Sequence, residues 1–217
     1  MKEGIALKRN YVPGSQMWFP RGKRFSGDTQ LRGFGCGLVA LEDFCIYRGL
    51  IPEPGSRDDY MEELRRMKRR YLPIVPQLGI APYYLPLLIN RYFRKKHLPV
   101  RIRRSFYPGR MEERVAAQLR RDLPVIFAAG PTIPFLFRKE RLPLCKLSDG
   151  VAVKVSSVRA HYMTVVGLET DREGTPLLKV ASWGDFYYVR VGDLKRFAKR
   201  TIPFTTRFYE MGVTKES

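Results

Sequence analysis

The apolar run from Gly37 to Tyr47 constrains the fold more than any other stretch of the sequence. Its apolar residues would fall on every side of a helix, and only Glu42 and Asp43 interrupt them. A helix that is apolar all round must be buried at the centre of a domain. Gly49 follows as a typical helix stop. We therefore predict a buried central helix that begins at about Cys36.

Helical patterns dominate the chain up to residue 123, and strand patterns dominate after it. Residues 56–72 carry a serine cap, acidic residues in the first turn and basic residues in the last, as the helix dipole favours. Residues 108–123 are amphipathic at helical spacing. Strand patterns follow at 124–130, 150–157, 161–170, 176–183 and 186–191. This order predicts an α+β fold with a C-terminal antiparallel sheet.

The length of 217 residues fits a single domain. We predict an irregular arm over residues 1–29, a mainly helical lobe over 30–123 and a mainly β lobe over 124–217. The two most apolar segments are both broken by proline, so no membrane span is predicted. The N-terminus lacks the apolar core of a secretory signal, which favours a cytoplasmic protein.

Positive charge is the strongest signal in the composition. The chain has 40 Lys and Arg against 21 Asp and Glu, which gives a net charge of +19. The basic residues form clusters at residues 65–70, 91–97, 101–104 and 195–200. Such a surface attracts anionic polymers, nucleic acid among them. No nucleic-acid-binding motif accompanies the charge, so solvated helix faces explain it equally well.

Cys36 stands between Gly35 and Gly37, at the predicted start of the central helix. The positive end of the helix dipole would lower the pKa of the Cys36 thiol and favour the thiolate. The glycines would let a substrate backbone come close, and the Cys36 N–H together with Gln30 would donate to an oxyanion. The alternative for Cys36 is the usual one for a free cysteine, a small buried apolar residue.

A reactive thiol needs a base, and the chain holds only two histidines. His97 lies among basic residues at a predicted helix end, where we expect it to be exposed. His161 begins an apolar strand, which would hold a base rigidly. We therefore predict a Cys36–His161 nucleophile–base pair, with a satisfied core histidine as the alternative. Cys45 and Cys145 have no candidate partner, and the cysteine spacing fits neither zinc nor a disulfide, so no metal or cofactor is predicted.

Several short blocks, in order along the chain, resemble the papain-like cysteine peptidases. Gln30, five intervening residues, Cys36 and an apolar helix match the start of that pattern. The segment CGLVALEDFCIYRG (36–49) is closer still to the bacteriocin-processing (double-glycine) peptidases. Blocks similar to the same group follow at residues 111–130, 161–169 and 180–189. The resemblance implies a papain-like fold, with Cys36 as nucleophile, His161 as general base and acid, and Gln30 in the oxyanion hole.

One position departs from the family pattern. The residue that orients the histidine, an Asn or Asp, lies two positions before the tryptophan, and here that position is Ala181. Ser182 and Asp185 are polar neighbours that could replace it. The alternatives are a Cys36–His161 dyad without an orienting side chain, or a histidine held by a backbone carbonyl or a water. In the family-like register Ala181 shares the face of His161 and Ser182 does not, but a slip or a bulge in the strand would reverse this.

Two functions follow from these residues. The first is a cysteine peptidase or amidase, acting as a thiol hydrolase or acyltransferase on a peptide or amide substrate, with Gly35, Gly37 and Trp183 lining the substrate groove. The second is a catalytically inactive papain-fold module that binds an anionic polymer or nucleic acid through its basic surface.

Overall fold

The computed structural model describes residues 4–23, 26–72, 74, 79–134 and 136–214. The helices are α1 (Gly27–Phe34), α2 (Cys36–Tyr47), α3 (Arg57–Arg70), α4 (Leu85–Lys95), α5 (Met111–Arg120) and α6 (Val191–Ala198). The strands are β1 (Ile5–Ala6), β2 (Val100–Phe106), β3 (Val125–Ala129), β4 (Leu142–Ser148), β5 (Val151–Val158), β6 (His161–Thr170), β7 (Pro176–Ser182), β8 (Asp185–Arg190) and β9 (Arg207–Val213).

These strands form one antiparallel sheet in the order β2-β9-β3-β6-β7-β8-β4-β5, and β1 pairs with β6. The α+β class predicted from the sequence is confirmed. The predicted irregular arm contains β1 and ends in α1, and β2 lies within the segment predicted to be mainly helical. β4 was not predicted, because Pro143 weakens its strand pattern.

The sheet carries an apolar core on each face, because alternate residues of its central strands point to opposite sides. Ile126 and Ala128 of β3 pack into the core that contains α2, α3 and α4. Phe127 of β3 and Met163 of β6 pack into the second core, which contains α5 and α6.

The helix α2 is the buried central helix that its apolar pattern predicts. Every residue from Gly37 to Tyr47 is buried. A Cβ on Gly37 would lie 3.3 Å from the ring of Tyr162, so the glycine lets the start of α2 pack closely on β6. The helix runs on along the same strand, where Thr164 Oγ1 donates to Ala40 O at 3.3 Å.

A β-bulge in β6 sets which side chains of β7 share a face with His161. Thr164 pairs with Ala181 and Val165 with Val180, but Gly167 pairs with Lys179, so one extra residue lies between them. The bulge reverses the family-like alternation beyond it. Ser182 therefore takes the face of His161, and Ala181 does not.

A segment of the N-terminal arm crosses α2 and the turn between β7 and β8. The Gly14 N–H donates to Asp43 Oδ1 at 2.9 Å, and the Gly14 carbonyl accepts from the Gly184 N–H at 2.9 Å. The arm thus connects the central helix to the end of the β7–β8 hairpin.

The part of the chain that the structure describes contains neither a membrane-crossing helix nor a metal-binding cluster. No helix among these residues is both long and apolar enough to cross a membrane. Over the same described ranges, no group of three or more His, Cys, Asp or Glu side chains is placed to hold a metal ion.

Candidate active site

Cys36 and His161 line the same small cavity, where the first turn of α2 meets the start of β6. Its volume is about 10 Å³, close to the space that one water needs. No hydrogen bond recorded for the described residues joins the Cys36 sulfur to the imidazole ring. The other lining residues are Gln16, Val39, Ala40, Asp43, Tyr162, Met163, Ala181, Ser182 and Trp183.

The His161 ring is buried and is held from two sides by the β7–β8 hairpin. Its Nε2 lies 2.7 Å from Ser182 Oγ. The ring centroid of Trp183 lies 4.8 Å from that of His161, at an interplanar angle of 37°. Trp183 and Gly184 form the two-residue turn of the hairpin, and both have positive φ, as a type I′ turn requires. The turn therefore places Ser182 and Trp183 against one imidazole ring.

The two residues suggested as replacements for the family Asn or Asp lie in different surroundings. Ser182 contacts the ring, because the bulge in β6 turns it toward His161. Asp185 is half-exposed and binds Lys146, with Nζ 2.7 Å from Oδ2. That contact lowers the pKa of Asp185. Ala181 packs in a separate apolar cluster with Tyr11.

The prediction that the helix dipole lowers the pKa of Cys36 and makes it a thiolate is wrong. Burial raises the pKa of the Cys36 thiol, although the N–H groups of Tyr162, Gly37 and Cys36 offset part of this effect. Burial also lowers the pKa of His161 to about 4. The cost of removing charge from water exceeds the contribution of the helix end, so both groups are neutral at neutral pH.

Of the predicted oxyanion and groove residues, Trp183 lines the cavity, whereas Gln30, Gly35 and Gly37 do not. Gln30 is half-buried on α1 and is not among the lining residues, whereas Gln16 of the arm is. The Gln16 side chain donates to Arg32 O at 3.0 Å. A Cβ on Gly35 would lie 2.4 Å from Leu31 O, so close backbone packing accounts for this glycine. The oxyanion role of Gln30 and the groove roles of Gly35 and Gly37 stay predictions.

Asp43 is a cavity residue whose role the sequence did not indicate. It is buried, and its Oδ1 accepts from the Gly14 N–H and from Tyr60 Oη, both at 2.9 Å. Its Oδ2 has no hydrogen-bond partner among the described residues. Burial raises the pKa of Asp43 to about 7. The available signal was the presence of a carboxylate in a helix that is otherwise apolar all round.

The remaining histidine and cysteines lie away from this cavity. His97 is exposed after the end of α4, as predicted. Cys45 and Cys145 are fully buried, whereas Cys36 is partly exposed.

Comparison with known proteins does not assign this chain to a family. No protein-family model matches the chain, and no curated protein matches it either. The likeness to the papain-like peptidases stays a prediction from the residues quoted above.

Proposed function

We propose that this protein is a cysteine-dependent hydrolase or acyltransferase of papain-like fold, acting on a peptide or amide bond. The observation that carries the proposal is the shared cavity of Cys36 and His161, in which Ser182 holds one nitrogen of the imidazole ring. A nucleophile, a base and a group that orients the base are the parts that such chemistry needs.

The reaction begins with a neutral pair. His161 takes the proton of the Cys36 thiol as the sulfur attacks the carbonyl carbon of the substrate, and the imidazolium then protonates the leaving amine. The product of this half-reaction is a thioester on Cys36. His161 next removes a proton from water or from a second amine, which attacks the thioester and restores the thiol. Because Nε2 is engaged by Ser182, Nδ1 is the nitrogen that exchanges these protons.

A panel of peptidyl acyloxymethyl ketones tests this proposal directly. These probes offer a carbonyl to the thiol and alkylate a cysteine that a neighbouring base activates. We expect one adduct per chain, located at Cys36 by peptide mass spectrometry, and none in Cys36→Ala. His161→Asn is the matched control, because Cys45 and Cys145 are fully buried and label slowly whatever activates Cys36. Undiminished labelling of Cys36 in folded His161→Asn would contradict the proposal.

A second candidate function rests on the distribution of charge. Around the β2 edge of the sheet, α4 and β2 are joined by Asn90, which bonds both the N–H and the carbonyl of Ile102. None of the exposed basic residues there forms an ion pair among those recorded for the described residues. This basic face consists of Arg91, Arg94, Lys95, Arg101, Arg103 and Arg104. It favours a binding module for an anionic polymer.

Salt dependence distinguishes specific use of the basic face from general attraction by net charge. If the face binds nucleic acid, the triple variant Arg91→Glu/Arg94→Glu/Lys95→Glu should reduce the dependence of single-stranded DNA binding on salt. The slope of log K against log salt should fall by about 2, because each neutralised phosphate contributes roughly 0.7 to it. The matched control is Lys154→Glu/Arg172→Glu/Lys199→Glu, which changes the net charge equally elsewhere. Equal losses of affinity in both variants would contradict a specific role for the basic face.

A further inference from the structure

We propose that Asp43 is a positioning residue for His161. From the central helix it holds the arm at Gly14, and through Gly14 it holds the β7–β8 turn that places Ser182 and Trp183 on the imidazole ring. The inference rests on the proposed function, because a histidine needs accurate placement where it exchanges protons with a nucleophile.

The connection is a continuous set of short contacts. Asp43 Oδ1 accepts from the Gly14 N–H at 2.9 Å, and the Gly14 carbonyl accepts from the Gly184 N–H at 2.9 Å. Gly184 directly follows Trp183, whose ring packs on His161. Only one residue of the arm therefore separates the carboxylate on α2 from the turn that orients the base.

The surroundings of Gly14 make this link specific. A Cβ on Gly14 would lie 1.9 Å from Tyr60 Oη, so no larger residue fits between α3 and the hairpin without displacement. Tyr60 donates to the same Asp43 oxygen, at 2.9 Å. The carboxylate thus fixes both the arm and the tyrosine against which the arm is packed.

Burial gives an independent reason to assign Asp43 a role. The Asp43 side chain is only 1 % exposed, and burying a carboxyl group costs free energy unless its oxygens are hydrogen-bonded. Its Oδ2 has no hydrogen-bond partner among the described residues, and Asp43 lines the cavity of Cys36 and His161. Glu42 is equally buried on the same helix but does not line that cavity. The two neighbouring acids therefore form a matched pair for experiment.

Selective ¹⁵N labelling of histidine reads the state of the ring, because the chain contains only His97 and His161. We expect wild-type His161 to show one tautomer. Asp43→Ala should lose that single-tautomer pattern, because the turn is released, whereas Asp43→Asn should retain it, because the amide oxygen still accepts both bonds. Glu42→Ala should leave it unchanged. A wild-type pattern in folded Asp43→Ala, or its loss in Asp43→Asn, would overturn the proposal.

A titration of the wild-type protein keeps the proposal testable if Asp43→Ala does not fold. The titratable groups that face Asp43 are Tyr60 of α3, Tyr11 of the arm, Glu42 of α2 and His161 of β6. Burial raises the pKa values of Tyr11 and Tyr60 above the usual tyrosine value and lowers that of His161 to about 4, so these three do not change charge near pH 7. Burial raises the pKa of Glu42 as well, so the titration is repeated in Glu42→Gln, in which a shift near pH 7 reports Asp43. The amide protons of Gly14 and Gly184 should shift together near pH 7, and a shift at Gly14 alone would refute the link.

These readouts separate failure of this inference from failure of the proposed function. Wild-type His161 signals in Asp43→Ala, with Cys36 still labelled by the ketone probes, overturn the role of Asp43 alone. Absence of labelling at Cys36 in the wild-type protein overturns the hydrolase, whatever the histidine signals show.

Discussion

Asp43→Asn is expected to stabilise the protein at about pH 8 and to change its stability little at about pH 4. The folded state raises the pKa of Asp43 to about 7, because burial disfavours the charged carboxylate. An unfolded Asp has a pKa of about 3.9. The folded state therefore binds the proton more tightly, and stability falls as the pH rises from about 4 to 7 and then levels off. Three pH units correspond to a free energy on the order of 4 kcal/mol.

Urea unfolding across that pH range measures this effect. The asparagine imitates the neutral acid at every pH, so the difference in unfolding free energy between variant and wild type should grow up to about pH 7. Asp185→Asn is the control with the opposite sign, because contact with Lys146 lowers the pKa of Asp185. Its half-exposed position makes that effect small. A constant difference between Asp43→Asn and wild type at all pH values would contradict the account.

The features that the sequence predicted depend on local pattern. The central helix followed from an apolar run with no polar face, and α3 followed from its serine cap and its distribution of charge. His97 and His161 were placed correctly because one lies in a basic segment and the other starts an apolar strand. Each of these signals lies within one short continuous segment, so it can be recognised in the sequence without knowledge of the rest of the fold.

The features that the sequence did not predict depend on contacts between distant segments. The bulge in β6 arises from its pairing with β7, and it decides whether Ser182 or Ala181 faces His161. The pKa of Cys36 depends on how completely α2, β6 and the arm exclude water, whereas the helix dipole alone pointed in the opposite direction. The positioning role of Asp43 depends on its hydrogen bond with Gly14, which lies 29 residues earlier in the sequence.

His161→Asn is expected to slow the reaction of Cys36 with iodoacetamide about 100-fold at neutral pH. The thiol is neutral in the folded protein, so its attack requires removal of a proton, and a positioned general base contributes at least that factor. Cys36 should outpace Cys45 and Cys145 by exposure alone, because those two are fully buried. The role of His161 is therefore tested by comparing the labelling rate of Cys36 in wild type and in His161→Asn, and not by comparing Cys36 with the other two cysteines.

The rate constant for iodoacetamide at Cys36, resolved by peptide mass spectrometry in wild type and in His161→Asn, tests the central claim most directly. The account predicts a loss of about 100-fold at neutral pH, while circular dichroism and the slow labelling of Cys45 and Cys145 show that the fold is retained. Equal rates at Cys36 in two folded proteins would show that His161 does not act as its base. Cys36 would then be a structural thiol, and the basic face would be the better guide to function.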